Sequence, residues 1–97
     1  MPTFISLIRL TQQGMENIKQ SPDGLEAAKK AFKAMGAELK QSYMVMGQYD
    51  MVVIGEAPDD ETAAKLSLAI GFKGAIRIET MRAFTEQEYH KILGALP

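Results

Sequence analysis

The stretch that decides the fold is Met44-Val45-Met46-Gly47-Gln48-Tyr49-Asp50-Met51-Val52-Val53-Ile54. It reads as a strand, a tight turn built on Gly47 to Asp50, and a second strand. A connection that short predicts an antiparallel hairpin. The first strand of the pair extends back to Glu38, with Leu39, Tyr43 and Val45 alternating against Lys40, Ser42, Met44 and Met46. The second extends to Ala57 and is apolar on both faces near its start, as a central strand is. Pro58 stops it.

A helix-led unit flanks the hairpin on each side. Upstream, Thr3 to Leu10 is a short run of β-formers. Phe4, Ile8 and Leu10 point one way, Ile5 and Leu7 the other, so both faces need cover. Thr11 opens a helical segment as N-cap and Gly14 weakens it. Ser21 is expected to cap a second helix with Pro22 at its first position. Leu25, Ala28, Phe32 and Met35 form that helix's apolar stripe, and Gly36 ends it in a left-handed conformation. Downstream, Asp59 or Asp60 caps a helix whose buried stripe is Ala63, Leu66, Ala69 and Ile70, closed by Gly71. Ala75 to Phe84 is the fourth strand, with Ile76 and Ile78 on one face and Arg77, Glu79 and Met81 on the other. Thr85-Glu86-Gln87-Glu88 is a capping box that opens a last helix carrying Tyr89, Ile92, Leu93 and Leu96 on one side.

The order is β-α-β-β-α-β with an extra C-terminal helix. It predicts an α+β, ferredoxin-like domain spanning residues 1–97, with a four-stranded antiparallel sheet in the order 4-1-3-2. Right-handed crossovers place the main helices on one face. A single helical layer leaves the other sheet face open, and an identical subunit is the expected cover.

Composition narrows the class. A chain of 97 residues buries only roughly 60–65% of its unfolded surface, so a monomer is modestly stable. Cysteine is absent, which removes disulfides, thiolate metal sites and cysteine nucleophiles. Net charge is −1, without the basic stripe of a nucleic-acid binder. Met1 to Phe4 lacks the features of a signal peptide. No apolar run reaches the ~20 residues of a membrane span. The expectation is a cytoplasmic homo-oligomer with no cofactor, nucleic acid or membrane partner.

Chemistry-bearing residues are few. His90 stands alone, without a second histidine to form a metal site. Asp59, Asp60 and Glu61 open a helix, where acids complement the dipole. Two groups remain. One is Tyr49 with Asp50 in the hairpin, although turn chemistry accounts for Gly47 and Asp50. The other is the polar set on the open sheet face: Arg77 and Glu79, with Arg9 in phase with Ile5 and Leu7, and Gln41 and Tyr43 as further members. The plain reading of that face is an oligomer interface containing an Arg–Glu pair. The functional reading is a pocket between two sheets, where Arg9 or Arg77 holds an acidic ligand. The ligand-binding candidates are therefore Arg9, Tyr43, Tyr49, Arg77, Glu79 and His90.

The chain resembles the GYD-domain family of small, mostly bacterial proteins. Gly47-Gln48-Tyr49-Asp50 is a G-x-Y-D form of the namesake tripeptide, and Gly74 to Phe84 (GAIRIETMRAF) is similar to the family's final strand. The resemblance covers nearly the whole chain. It implies a ferredoxin-like fold of the dimeric α/β-barrel type and assigns no activity. The motif residues carried over are Gly47, Tyr49, Asp50, Arg77, Thr80, Arg82 and Phe84. A looser likeness of G-x-Y-D is to the effector domains of Lrp/AsnC regulators, which bind amino acids between subunits. Their helix-turn-helix segment has no counterpart here, so the expectation is a stand-alone ligand-sensing module. The alternative is a cofactor-free enzyme, monooxygenase- or isomerase-like, with a cavity between sheets and Tyr43, Tyr49 or His90 as its titratable group.

Overall fold

The computed structural model describes residues 1–97. Four strands, β1 (Thr3–Leu10), β2 (Glu38–Met44), β3 (Met51–Glu56) and β4 (Ile76–Ala83), form one antiparallel sheet in the order β2-β3-β1-β4. This is the expected ferredoxin-like order, with the two most apolar strands at the centre. The helices are α1 (Gln12–Glu16), α2 (Ser21–Ala34), α3 (Asp60–Gly71) and α4 (Glu86–Gly94), with a 3-10 turn at Ile18–Gln20 between α1 and α2.

Strand register sorts the side chains. Phe4, Ser6 and Ile8 of β1 lie beside Gly55, Val53 and Met51 of β3 and beside Arg82, Thr80 and Ile78 of β4. This face meets the helices: Phe4 clusters with Ala63 and Leu66 of α3, and Ala31 and Phe32 of α2 pack against the cluster. The opposite face carries Ile5, Leu7 and Arg9 beside Ile54 and Val52 of β3 and Met81, Glu79 and Arg77 of β4.

Helix ends follow local chemistry, with one correction. Asp59 caps α3, accepting from the Thr62 amide at 2.8 Å. Thr85 and Glu88 form both halves of the capping box. Gly36 (φ 74°) ends α2, and Gly47 (φ 119°) shapes the hairpin loop. Ser21, however, is already helical (φ −58°, ψ −32°) and Gln20 is the cap. Gly71 closes α3 as its last residue, as expected, and Gly74 is the left-handed glycine of the loop that follows.

The hairpin also differs from its reading. Pairing ends at Met44 opposite Met51, so the connection is Val45–Asp50, longer than a tight turn. The register slips between Leu39 and Gln41, leaving Lys40 as an extra residue. That bulge re-phases the strand. Leu39 sits opposite Gly55 on the helix side, whereas Tyr43 sits opposite Val52 on the open side. Uninterrupted alternation would place Leu39 and Tyr43 on one face.

Gly14 is more than a weak helix residue. It is buried, and a Cβ there would lie 2.0 Å from the Ala75 carbonyl oxygen. The Thr11 amide donates to that same oxygen at 3.0 Å, the Thr11 hydroxyl donates to the Gly74 carbonyl, and Thr11 caps α1 through the Gly14 amide. The β1–α1 corner is thereby fastened to the start of β4.

Only 9 of 97 residues are buried, so the two-layer body has a thin core. No helix lies across the open sheet face. α4 leaves β4 at the Thr3–Ala83 end and packs on almost nothing, exposing Tyr89, Ile92, Leu93 and Leu96. The radius of gyration is 14.6 Å, against about 12.5 Å for a compact domain of this length. No helix is long and apolar enough to cross a membrane.

Candidate functional site

The open face is organised in rows by strand register. Tyr43, Val52, Leu7 and Glu79 form one row, and Gln41, Ile54, Ile5 and Met81 the next. Beyond the first row, Arg9 and Arg77 are direct partners on β1 and β4. The centre is apolar and charges gather at one end.

The hairpin loop closes over that end. Val45 donates its amide to the Asp50 carbonyl at 3.0 Å, and the Asp50 amide donates to the Ile8 carbonyl at 2.8 Å. The Asp50 carboxylate accepts from the Leu10 amide at 2.8 Å. Asp50 thus bonds an amide forty residues upstream rather than its own turn. It completes the edge of β1 where β3 has ended. This anchors Tyr49, whose phenol crosses β1 and donates to Glu79 Oε2 at 3.1 Å. The Arg9 guanidinium lies over the Tyr49 ring, 4.8 Å from its centroid. Leu7, Arg9, Tyr49, Arg77 and Glu79 line one depression, which reaches round the edge strand β4 to Leu68 and Gly71 of α3.

Four of the six sequence candidates therefore meet: Arg9, Tyr49, Arg77 and Glu79. Tyr43 shares the open face but sits on the outer strand β2, 52% exposed. His90 does not join them. It lies on α4 at the far end of the sheet, 3.6 Å from Glu86. Within the chain neither Arg9 nor Arg77 has a carboxylate within 4.0 Å, and Glu79 is engaged by Tyr49.

Sequence reasoning missed a polar chain on the helix side of the sheet. Ser67 Oγ donates to the Ala63 carbonyl at 3.0 Å, and Thr80 Oγ1 lies 2.7 Å from Ser67 Oγ and 3.0 Å from Ser6 Oγ. Each hydroxyl has one proton, so the chain runs one way, Ser6 to Thr80 to Ser67 to Ala63. It ties α3 to β1 and β4 among apolar neighbours.

Arg82 has a role that its place in the sequence does not announce. Its guanidinium lies 4.3 Å from the Phe84 ring centroid and 5.8 Å from that of Phe4, bonds the Ala83 carbonyl, and stands 3.7 Å from Glu88. It staples the root of α4 to the sheet. The Thr85 amide, first, and then Arg82 hold the Glu88 carboxyl below its ordinary value. The Thr62 amide does the same for Asp59, which explains that acid as a cap.

Motif residues therefore divide. Gly47, Asp50, Thr80 and Arg82 have structural work within the chain, whereas Tyr49 and Arg77 face the open depression.

Residues 4–93 match the family model described as the GYD domain. The chain belongs to the GYD-domain family. It is 33% identical over 84 residues, 86% of this chain and 88% of the relative, to the "Glutamine synthetase and cystathionine beta-lyase binding protein" of Thermus thermophilus. Among solved structures it is similar to a Thermus thermophilus protein (TM-score 0.55, 23% identity, 88% of this chain and 95% of that one). A hypothetical protein of Pyrococcus horikoshii is also similar (TM-score 0.53, 22% identity, 93% and 98%). So is the leucine response regulatory protein of Mycobacterium tuberculosis (TM-score 0.57, 13% identity), of which this GYD chain spans 51% while 87% of the chain is covered. These structural likenesses establish the shared fold.

Proposed function

We propose that this GYD protein is a non-enzymatic, cytoplasmic binding module that works as a homo-oligomer. Its open sheet faces pack against one another, and the assembly presents a site for a small ligand or a protein partner at the Tyr49 end of that interface. One observation carries the reading. The cross-strand pairs Ile5–Ile54 and Leu7–Val52 fill the middle of a sheet face that no helix of the chain covers. A chain with so thin a core gains most from burying that face, at about 25 cal/mol per Å² of apolar surface. Self-association of one patch is satisfied by a two-fold interface.

The name of the Thermus relative favours a protein as the partner. A module that docks onto metabolic enzymes needs no reactive constellation of its own. Tyr43 and His90, two of the three titratable groups an enzyme would draw on, stand away from the depression that Tyr49 lines.

Static light scattering at micromolar concentration tests the assembly. The reading predicts a mass at least double the 10.7 kDa of one chain, and Leu7→Asp brings it down to the single-chain value. A wild-type chain that scatters as a monomer overturns the reading.

A further inference from the structure

We propose that Arg9 and Arg77 form a receptor for a small organic anion, a carboxylate with an apolar body, at the end of the open sheet face. The inference rests on the reading that a second copy covers this face, since only then is the apolar body shielded from water.

The two arginines are direct cross-strand partners on β1 and β4. Like charges placed opposite each other repel, and the fold has not relieved that repulsion internally. No carboxylate lies within 4.0 Å of either guanidinium, and neither donates a side-chain hydrogen bond within the chain. The adjoining acids are turned to other partners within the chain, and neither closes on an arginine. Glu79 accepts from the Tyr49 hydroxyl and Asp50 accepts from the Leu10 amide.

Arg9 is also held in place, and so is the backbone that carries Arg77. Arg9 lies on the Tyr49 ring at 4.8 Å, and Tyr49 is fixed at its far end by Glu79. Stacking uses the face of a guanidinium and leaves its N–H edge free. The backbone under Arg77 is fastened by the contacts of Thr11 and Gly14 with Gly74 and Ala75. Two such forks suit an oxyanion bidentately. Leu7 and Val52 occupy the next row on the same face, so an apolar body extends from the arginines toward the sheet centre. A bare phosphate satisfies the arginines but leaves Leu7 and Val52 uncontacted.

The test is titration calorimetry on the full chain with 4-methylpentanoate, its neutral amide and inorganic phosphate, with light scattering on the same samples. The proposal predicts saturable binding of 4-methylpentanoate. The amide binds at least about tenfold more weakly, and Arg9→Gln and Arg77→Gln each weaken the acid by about tenfold or more without lowering the mass. Phosphate binds more weakly than the acid and loses its binding in the same two variants. The proposal is overturned if an oligomeric wild type binds neither anion, if amide and acid bind alike, or if the double variant binds as the wild type does. It is also overturned if either variant dissociates the oligomer, because the arginines then pair with carboxylates of the second copy. A monomeric wild type defeats the oligomer reading separately; phosphate binding that depends on both arginines would then still support the anion receptor, and its absence would overturn it.

Discussion

The Tyr49 hydroxyl donates to Glu79 across strand β1. One bond thus joins the loop between β2 and β3 to the edge strand β4, and the ring between them carries Arg9. Tyr49 is thereby a strut as well as part of the open face.

Removing that strut has a modest, separable effect. Tyr49→Phe loses one partly exposed hydrogen bond and is expected to lower stability by about 1 kcal/mol or less. Tyr49→Leu also loses the Arg9 stack, a further loss of about 0.5–1 kcal/mol. Urea unfolding of both variants checks the order. Equal losses would show that the Arg9 contact contributes nothing.

Gly14 and Gly24 make an opposed pair. A Cβ at Gly14 meets the Ala75 carbonyl, whereas one at Gly24 meets nothing within 4 Å. Gly14→Ala is expected to destabilise by about 3 kcal/mol, since β4 must shift away. Gly24→Ala, inside α2, is expected to stabilise by about 0.5–1 kcal/mol. Thermal unfolding of both decides whether the β1–α1 corner is as closely fitted as described.

Thr80 sits in the middle of a hydroxyl chain, so its loss strands two partners. Thr80→Val leaves Ser6 without an acceptor and Ser67 without a donor, and is expected to destabilise by about 1–3 kcal/mol. Adding Ser6→Ala and Ser67→Ala to that variant is expected to recover part of the loss, because fewer polar groups are then left unpaired. Strict additivity of the three losses would contradict the one-way chain.

Much of this fold was legible because its signals are local. Strand alternation, the Asp59 cap, the Thr85–Glu88 box and Gly36 depend on residues within one turn of each other. The open-face set of Arg9, Arg77 and Glu79 followed from period-two counting along single strands. What escaped depends on residues far apart in sequence. The bulge at Lys40 divides Leu39 from Tyr43, and nothing in the alternation marks it. Asp50 bonds Leu10, and Tyr49 takes Glu79 from the arginines, because of strand register. Gly14 reads as a helix weakness until the Ala75 carbonyl stands against it. Ser6, Ser67 and Thr80 meet only once α3 is laid on the sheet; a run of small polar residues facing a helical layer is the signal to look for.

The helix caps give way to acid only below the ordinary carboxylate range. Asp59 and Glu88 are held below their ordinary values by the Thr62 and Thr85 amides respectively. A carboxylate depressed in the folded state contributes stability above its unfolded value and loses that contribution as pH falls through the depressed one. An NMR titration of the Glu88 carboxyl is expected to show a midpoint below that of an unstructured peptide, with Arg82→Gln moving it upward. A midpoint at or above the peptide's would remove the cap and Arg82 as its causes.

Cover of the open sheet face by a second copy is directly measurable, because the chain has no native cysteine. Met81, in the open-face row with Ile5 and Ile54, is 45% exposed in the single chain. The decisive measurement is the maleimide labelling rate of Met81→Cys against Lys29→Cys, which lies on the exposed side of α2. The account predicts that Met81→Cys labels far more slowly at micromolar concentration and speeds up on dilution. Labelling at the rate of the Lys29→Cys control, independent of concentration, would contradict it.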